Sequence, residues 1–355
     1  MQTPWGPLAQ LDISDKSVCL KILQHDKHQL AEGLIVESLV DQIYRQMPAT
    51  MPQARLLDIE TAVVKARNDW HAFVWIRRET DGLGRFLLAL EQRFRVWVVR
   101  TDSPLTTFTA YERRNGRPLA PPRPLEQIMS RLAGRAPEPP SVAGSVRDEH
   151  RQLASFWGYL QEHYGASLGE RVVLPRLFMN FAIQPWFRSV WNLDRILVDG
   201  ERIWLLEIKH KFPIPRAPLT FGLNRGELDM IGRLGECGVS CFHTILVKPR
   251  WDKEAGSSYL INNLDQRDRA LFVGTELDTA TLHEMRTAGE RRSAAHTTFS
   301  GSGSLGYLSL PATAFMKIGS FALPVPDLAS ALSGALNGQR LPGVTDAELR
   351  ALRTD

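Results

Sequence analysis

The chain has 355 residues, 43% of them hydrophobic and 23% charged, which allows two domains with a sizeable core each. No run of about 18 apolar residues and no basic-then-apolar start is present, so neither a membrane span nor a secretory signal is expected; the three cysteines, Cys19, Cys237 and Cys241, do not make a disulfide framework and point to a cytoplasmic protein. The formal net charge of +4, carried mainly by arginine, permits a polyanionic partner without requiring one.

Residues 27–47 predict an amphipathic helix, because Leu30, Leu34, Leu39 and Ile43 recur at helical spacing. HAFVWIRR (71–78) and at least residues 96–99 read as strands, with ETDGLG as a turn signal between them. Residues 111–142 are rich in Pro, Gly and Arg. Proline fixes φ and removes a backbone donor, so this stretch reads mostly as linker, interrupted by a short helix over 125–132. The domain boundary is placed near residue 140.

A second helix is expected from Asp148, with Leu153, Phe156, Trp157 and Leu160 on one stripe and Gly165 as its stop. In SVWNLDRILVDGERIWLLEIKHKFP (189–213), Asp199-Gly200 is a hairpin signal between two apolar runs. Residues 190–198 and 202–210 are therefore expected as adjacent antiparallel strands. After a Pro-containing loop (212–218), residues 223–238 read as a helix and 239–249 as a buried strand. Further helices are expected at 282–292, 326–338 and 345–353, and TTFSGSGSLG (297–306) reads as a loop. The fold class is α/β: an N-terminal α+β recognition or partner-binding domain (1–115), a Pro/Arg-rich linker (116–144), and a mixed sheet flanked by helices (145–355, core 148–250) with a C-terminal extension.

The strand RIWLLEIKHK carries the chemistry. Residues 203–206 are all apolar, and Glu207 and Lys209 follow them directly. Alternation along a strand puts these two on one face, where burying a charge without a partner costs several kcal/mol, roughly. With the turn at Asp199-Gly200, Asp194 falls near the level of Glu207. Two carboxylates and an ammonium at one sheet edge suit a hard cation such as Mg²⁺.

Asp194 with Glu207-Ile208-Lys209 resembles the D…E-x-K signature of the PD-(D/E)XK, or restriction-endonuclease-like, nuclease superfamily. Leu193 stands where that family often has proline. The order helix, strand, strand, helix, strand over roughly 148–250 is similar too. The resemblance implies a restriction-endonuclease-like core and a nuclease dependent on Mg²⁺ or Mn²⁺. Asp194, Glu207 and the Ile208 carbonyl would hold the metal, and Lys209 would act in catalysis. It also implies a glutamate from the first core helix, for which Glu162 is preferred to Glu170. His210, Lys211 and Arg225 are candidate nucleic-acid contacts; Glu227 and Asp229, on the same helix as Arg225, could also reach the site or read simply as charges of a helix first turn. The expected substrate is a phosphodiester, most readily in DNA, in genome defence, mobile elements or repair. Two-strand cutting is compatible with a homodimer. The alternative is an inactive nuclease-like scaffold or nucleic-acid-binding subunit of a larger complex.

Other signals are weaker. Cys237, Cys241 and His243 form C-x3-C-x-H, which lacks a second ligand pair and reads as core. No P-loop and no G-x-S-x-G is present. Glu91-Gln92-Arg93 loosely echoes Glu207-Ile208-Lys209, but Arg78 sits thirteen residues before Glu91. A related fold there would lack a working site.

Overall fold

The computed structural model describes residues 2–26, 28–102, 107–138, 141–253, 255–292 and 306–354. In chain order, helices α1 (Lys16–Gln24) and α2 (His28–Gln46) lead to strand β1 (Ala54–Leu56). The hairpin β2 (Ile59–Ala66) and β3 (Asp69–Ile76), helix α3 (Leu83–Leu90), and strands β4 (Arg95–Asp102) and β5 (Thr107–Arg114) follow. Helix α4 (Leu125–Ala133) precedes two helical runs, α5 over 149–164 and α6 over 169–183. Then come β6 (Val190–Leu193), β7 (Arg195–Asp199), β8 (Arg202–Lys211), β9 (Thr220–Asn224), α7 (Arg225–Gly235) and β10 (Val239–Val247). The remainder is β11 (Leu271–Glu276), α8 (Thr279–Thr287), β12 (Arg291–Arg292), β13 (Gly306–Pro311), β14 (Met316–Ser320), α9 (Val325–Leu336) and α10 (Asp346–Leu352). This is an α/β protein with mixed sheets. No helix among the described residues is long and apolar enough to cross a membrane.

The chain forms two compact units. The first is Met1–Ala31 with Leu57–Asp194; the second is Glu32–Leu56 with Arg195–His296 and Gly303–Asp355, counting the described residues of each range. The boundary expected near residue 140 is therefore corrected, and residues 116–144 lie inside the first unit. Residues 117–118 and 123–124 pair with β5, and α4 buries Leu125, Ile128 and Met129. Prolines 118 and 124 are tolerated because these short strands lie at the sheet edge, where a missing donor breaks no ladder. Residues 190–198 are not one strand. Residues 190–193 pair with β2 in the first unit, whereas 195–199 pair with β8 in the second. The loop expected at 297–306 lies outside the described residues apart from Gly306.

In the first unit the order is β6-β2-β3-β4-β5, with β3 and β4 parallel through α3. The helical run α6 was not legible as an element. Its Gly169 packs against Ile13, in the turn before α1, and a Cβ on Gly169 would lie 2.1 Å from the Ile13 carbonyl oxygen. His71 is 1% exposed, and its Nδ1 accepts a hydrogen bond from Trp97 Nε1 at 3.1 Å.

In the second unit the order is β14-β11-β10-β8-β7-β1. The hairpin β7–β8 turns through Gly200, whose φ of 56° favours glycine. Helix α7 carries the chain to β10, parallel to β8, and β11 returns antiparallel. This repeats the first unit step for step: hairpin, helix, parallel strand, antiparallel strand. Counted from the two-residue turns, which close at Asp199↔Arg202 and Ala66↔Asp69, the rung of Glu207 corresponds to that of Val74, and Lys209 corresponds to Ile76. The looser echo at Glu91 is not the structural equivalent. Glu91 caps the end of α3, with its carboxylate on Arg113 and the Gly116 amide.

Burial first, then the nearby Arg95 charge, pushes the His71 pKa from 6.5 to about 4. The folded state disfavours the proton, so His71 contributes its full stability above pH 6.5. That contribution is lost as pH falls towards 4, by at most roughly 3 kcal/mol. Urea unfolding between pH 7 and pH 4 is expected to show a weaker pH slope in His71→Asn, which keeps an acceptor for Trp97. An unchanged slope in the variant would remove His71 as its source.

Candidate active site

Strand β8 is unequally paired along its length. Its ladder with β7 ends at Arg195↔Leu206, whereas its ladder with β10 continues to Lys211↔Val247. Glu207 is the first residue past that end. Alternation places Glu207, Lys209 and Lys211 on one face, and Ile208 and His210 on the other. Glu207 is only 3% exposed, and Lys209 is half-buried.

Helix α7 brings Glu227 to the same face. Asn224 starts this helix, its side chain accepting from the Gly226 amide at 2.8 Å, which places Glu227 in the first turn. The Lys209 ammonium is bonded to Glu207 Oε1 and lies 3.1 Å from Glu227 Oε1. Burial opposes ionisation of Glu227, but its neighbours together, the Lys209 charge foremost among them, outweigh burial and hold this carboxyl below the usual carboxylate range. Lys211 donates from Nζ to the Gly222 carbonyl at 2.7 Å, and burial pushes its pKa down to about 8. His243 shares a rung with Glu207 and is fully buried. Burial, then the Lys211 charge, keeps its ring well below the ordinary histidine range, so it is neutral. Neither of its ring nitrogens has a hydrogen-bond partner among the described residues.

Asp194 is the residue between β6 and β7, one peptide bond before the last rung of the β7–β8 ladder. The start of β7 is fixed by Arg195, which grips Asp41 of α2 with two prongs, Nε at 2.9 Å and Nη2 at 2.8 Å. The second unit's own preceding helix is thus α2, whose acidic residues include Glu37 and Asp41. Glu162 and Glu170 belong to the first unit and are exposed. The expectation that α5 supplies the core-helix glutamate took the helix nearest in sequence.

The three expected nucleic-acid contacts fare differently. Arg225 is exposed and paired with Glu290 at 2.6 Å. Lys211 is turned inward to Gly222. His210 Nε2 lies 2.9 Å from the Tyr259 hydroxyl, and burial holds its ring in the neutral form, so it is an internal partner and not a cation for phosphate. Cys237 and Cys241 are buried core residues and form no disulfide among the described residues. Glu227 was legible in the sequence as one of three charges of this helix, with Arg225 and Asp229, that could reach the site, and His243 only as part of C-x3-C-x-H.

Comparison with protein-family models, with curated proteins and with solved structures finds no match.

The Asp41–Arg195 pair is partly buried on both sides. Asp41→Ala, which leaves a partly buried guanidinium without its carboxylate, is expected to lower stability by ~1–3 kcal/mol in urea unfolding. A loss under about 0.5 kcal/mol, as for an ordinary surface change, would show that the pair does not hold the start of β7.

Proposed function

We propose that the chain is a divalent-metal-dependent nuclease of the PD-(D/E)XK kind, hydrolysing phosphodiester bonds with DNA as the favoured substrate. The observation that carries this reading is the buried Glu207 at the point where the β7 ladder stops, with Lys209 beside it and Asp194 one residue before the last rung. The order within the second unit supports it. A helix, β1, β7, β8, α7 and β10 follow one another, and the sheet is mixed. This agrees with a restriction-endonuclease-like core whose first helix is α2. The first unit, with Val74 and Ile76 at the matching rungs, is assigned a recognition or partner-binding role.

The donor set fits a metal of one type. Among the described residues, no three His, Cys, Asp or Glu side chains converge closely enough to hold a cation by themselves. The proposed set is Asp194 and Glu207 with the Ile208 carbonyl, completed by water. Magnesium commonly binds this way, keeping several waters beside one or two carboxylates. When bound, such an ion supplies Lewis-acid polarisation of the phosphoryl group and a more acidic water. The chain's own residues do the rest. Lys209 donates hydrogen bonds to the attacking water and to the phosphoryl oxygen on which charge grows. The apolar run before Glu207 keeps bulk water from one side, which strengthens these contacts.

The test is cleavage of single-stranded, duplex and branched DNA, and of RNA, with Mg²⁺ or Mn²⁺. Wild type should cut at least one of them, and Asp194→Ala and Lys209→Ala should each lose about 100-fold or more. Full activity in either variant, or no cleavage and no Mn²⁺ binding by wild type, would sink the proposal. Nucleic-acid binding without cleavage would instead favour the scaffold reading.

A further inference from the structure

We infer that Glu227 is a positioning residue for Lys209, holding its ammonium in the site when Glu207 turns to a cation. The inference rests on the nuclease reading above. In the structure one ammonium serves two carboxylates from two elements, Glu207 on β8 and Glu227 on α7. Glu207 cannot serve both a divalent cation and Lys209 equally well, because two cations on one carboxylate repel each other. The Glu227 contact then keeps the Lys209 ammonium at the site, where a long flexible side chain beside a bound cation would otherwise be repelled towards solvent. Glu227 is placed for this. It is 15% exposed, 3.1 Å from the ammonium, and fixed at the start of α7 by the Asn224 cap. Lys211 also attracts Glu227, but more weakly than Lys209 does, and its ammonium donates to the Gly222 carbonyl. Glu227 need not touch substrate. It acts through Lys209, so its effect should vanish when Lys209 is gone.

The experiment is a mutant cycle on the full chain with wild type, Glu227→Gln, Lys209→Met and the double variant. Each is assayed for kcat and KM on the best substrate and for unfolding in urea. Glu227→Gln is expected to lower kcat about tenfold with KM changed less than about twofold. In the Lys209→Met background it should cause no further loss, and Glu227→Asp should recover part of kcat. An equal drop in kcat with and without Lys209 would overturn the inference, because Glu227 would then act on its own. Unchanged kcat in Glu227→Gln would overturn it too. If wild type cuts nothing, the nuclease reading fails, and the pairing is judged from the stability cycle alone. Non-additivity of about fivefold or more in the unfolding constant upholds Glu227 as the anchor of Lys209, and less than about twofold overturns it.

Discussion

Burying the carboxylate of Glu207 sets the terms for the rest of the second unit. An ionised group removed from water costs several kcal/mol even after relaxation, roughly, and the cost is met only by close partners of opposite charge. Here the next residue on the same face, Lys209, supplies that charge. A second carboxylate, Glu227, balances Lys209, and Lys211 settles on a backbone carbonyl. Each element around β8 can be read from this need. Asn224 starts α7 so that Glu227 arrives in its first turn. Strand β9 offers the Gly222 carbonyl. Strand β10 sets the neutral ring of His243 on the rung beside Glu207, adding no further charge.

The core of this arrangement was legible because it is local. The apolar run 203–206 ending in Glu207 and Lys209, the Asp199-Gly200 turn, the following helix and the buried strand 239–247 all follow from period and turn chemistry. What was not legible is long-range. The larger part of the first unit, Leu57–Asp194, enters between β1 and β7, which are hydrogen-bonded neighbours through Leu56↔Leu197. A sequence reading meets α5 just before β7 and takes it as the core helix, although α2, some 150 residues earlier, is the one that clasps Arg195. Edge-strand prolines likewise read as linker, because nothing in 117–124 reveals that β5 lies beside it.

Insertion at this point is physically mild. Adjacent antiparallel strands lie about 5 Å apart, so a domain entering at Leu57 and returning at Asp194 needs ends that lie close together, as domain termini often do. Asp194 is then both a candidate ligand and the return point of an inserted body. The two-pronged grip of Arg195 on Asp41 secures the residue that follows it.

The two units form an internal control on the functional reading. They share a hairpin, a helix, a parallel strand and an antiparallel strand in one order, and their rungs can be counted against each other. At the rung of Glu207 the first unit has Val74, 0% exposed, and at that of Lys209 it has Ile76, 5% exposed. Thr61 stands opposite Val74, at the position that Asp194 holds relative to Glu207 by the same count. The same backbone plan thus closes readily with apolar side chains, and replacing a buried ion pair by such residues is often neutral or stabilising. The charges in the second unit are not required by the architecture. Residues that depart from what folding favours gather where chemistry is done, and that asymmetry is the physical support for the proposal that the chemistry lies around Glu207 and Lys209.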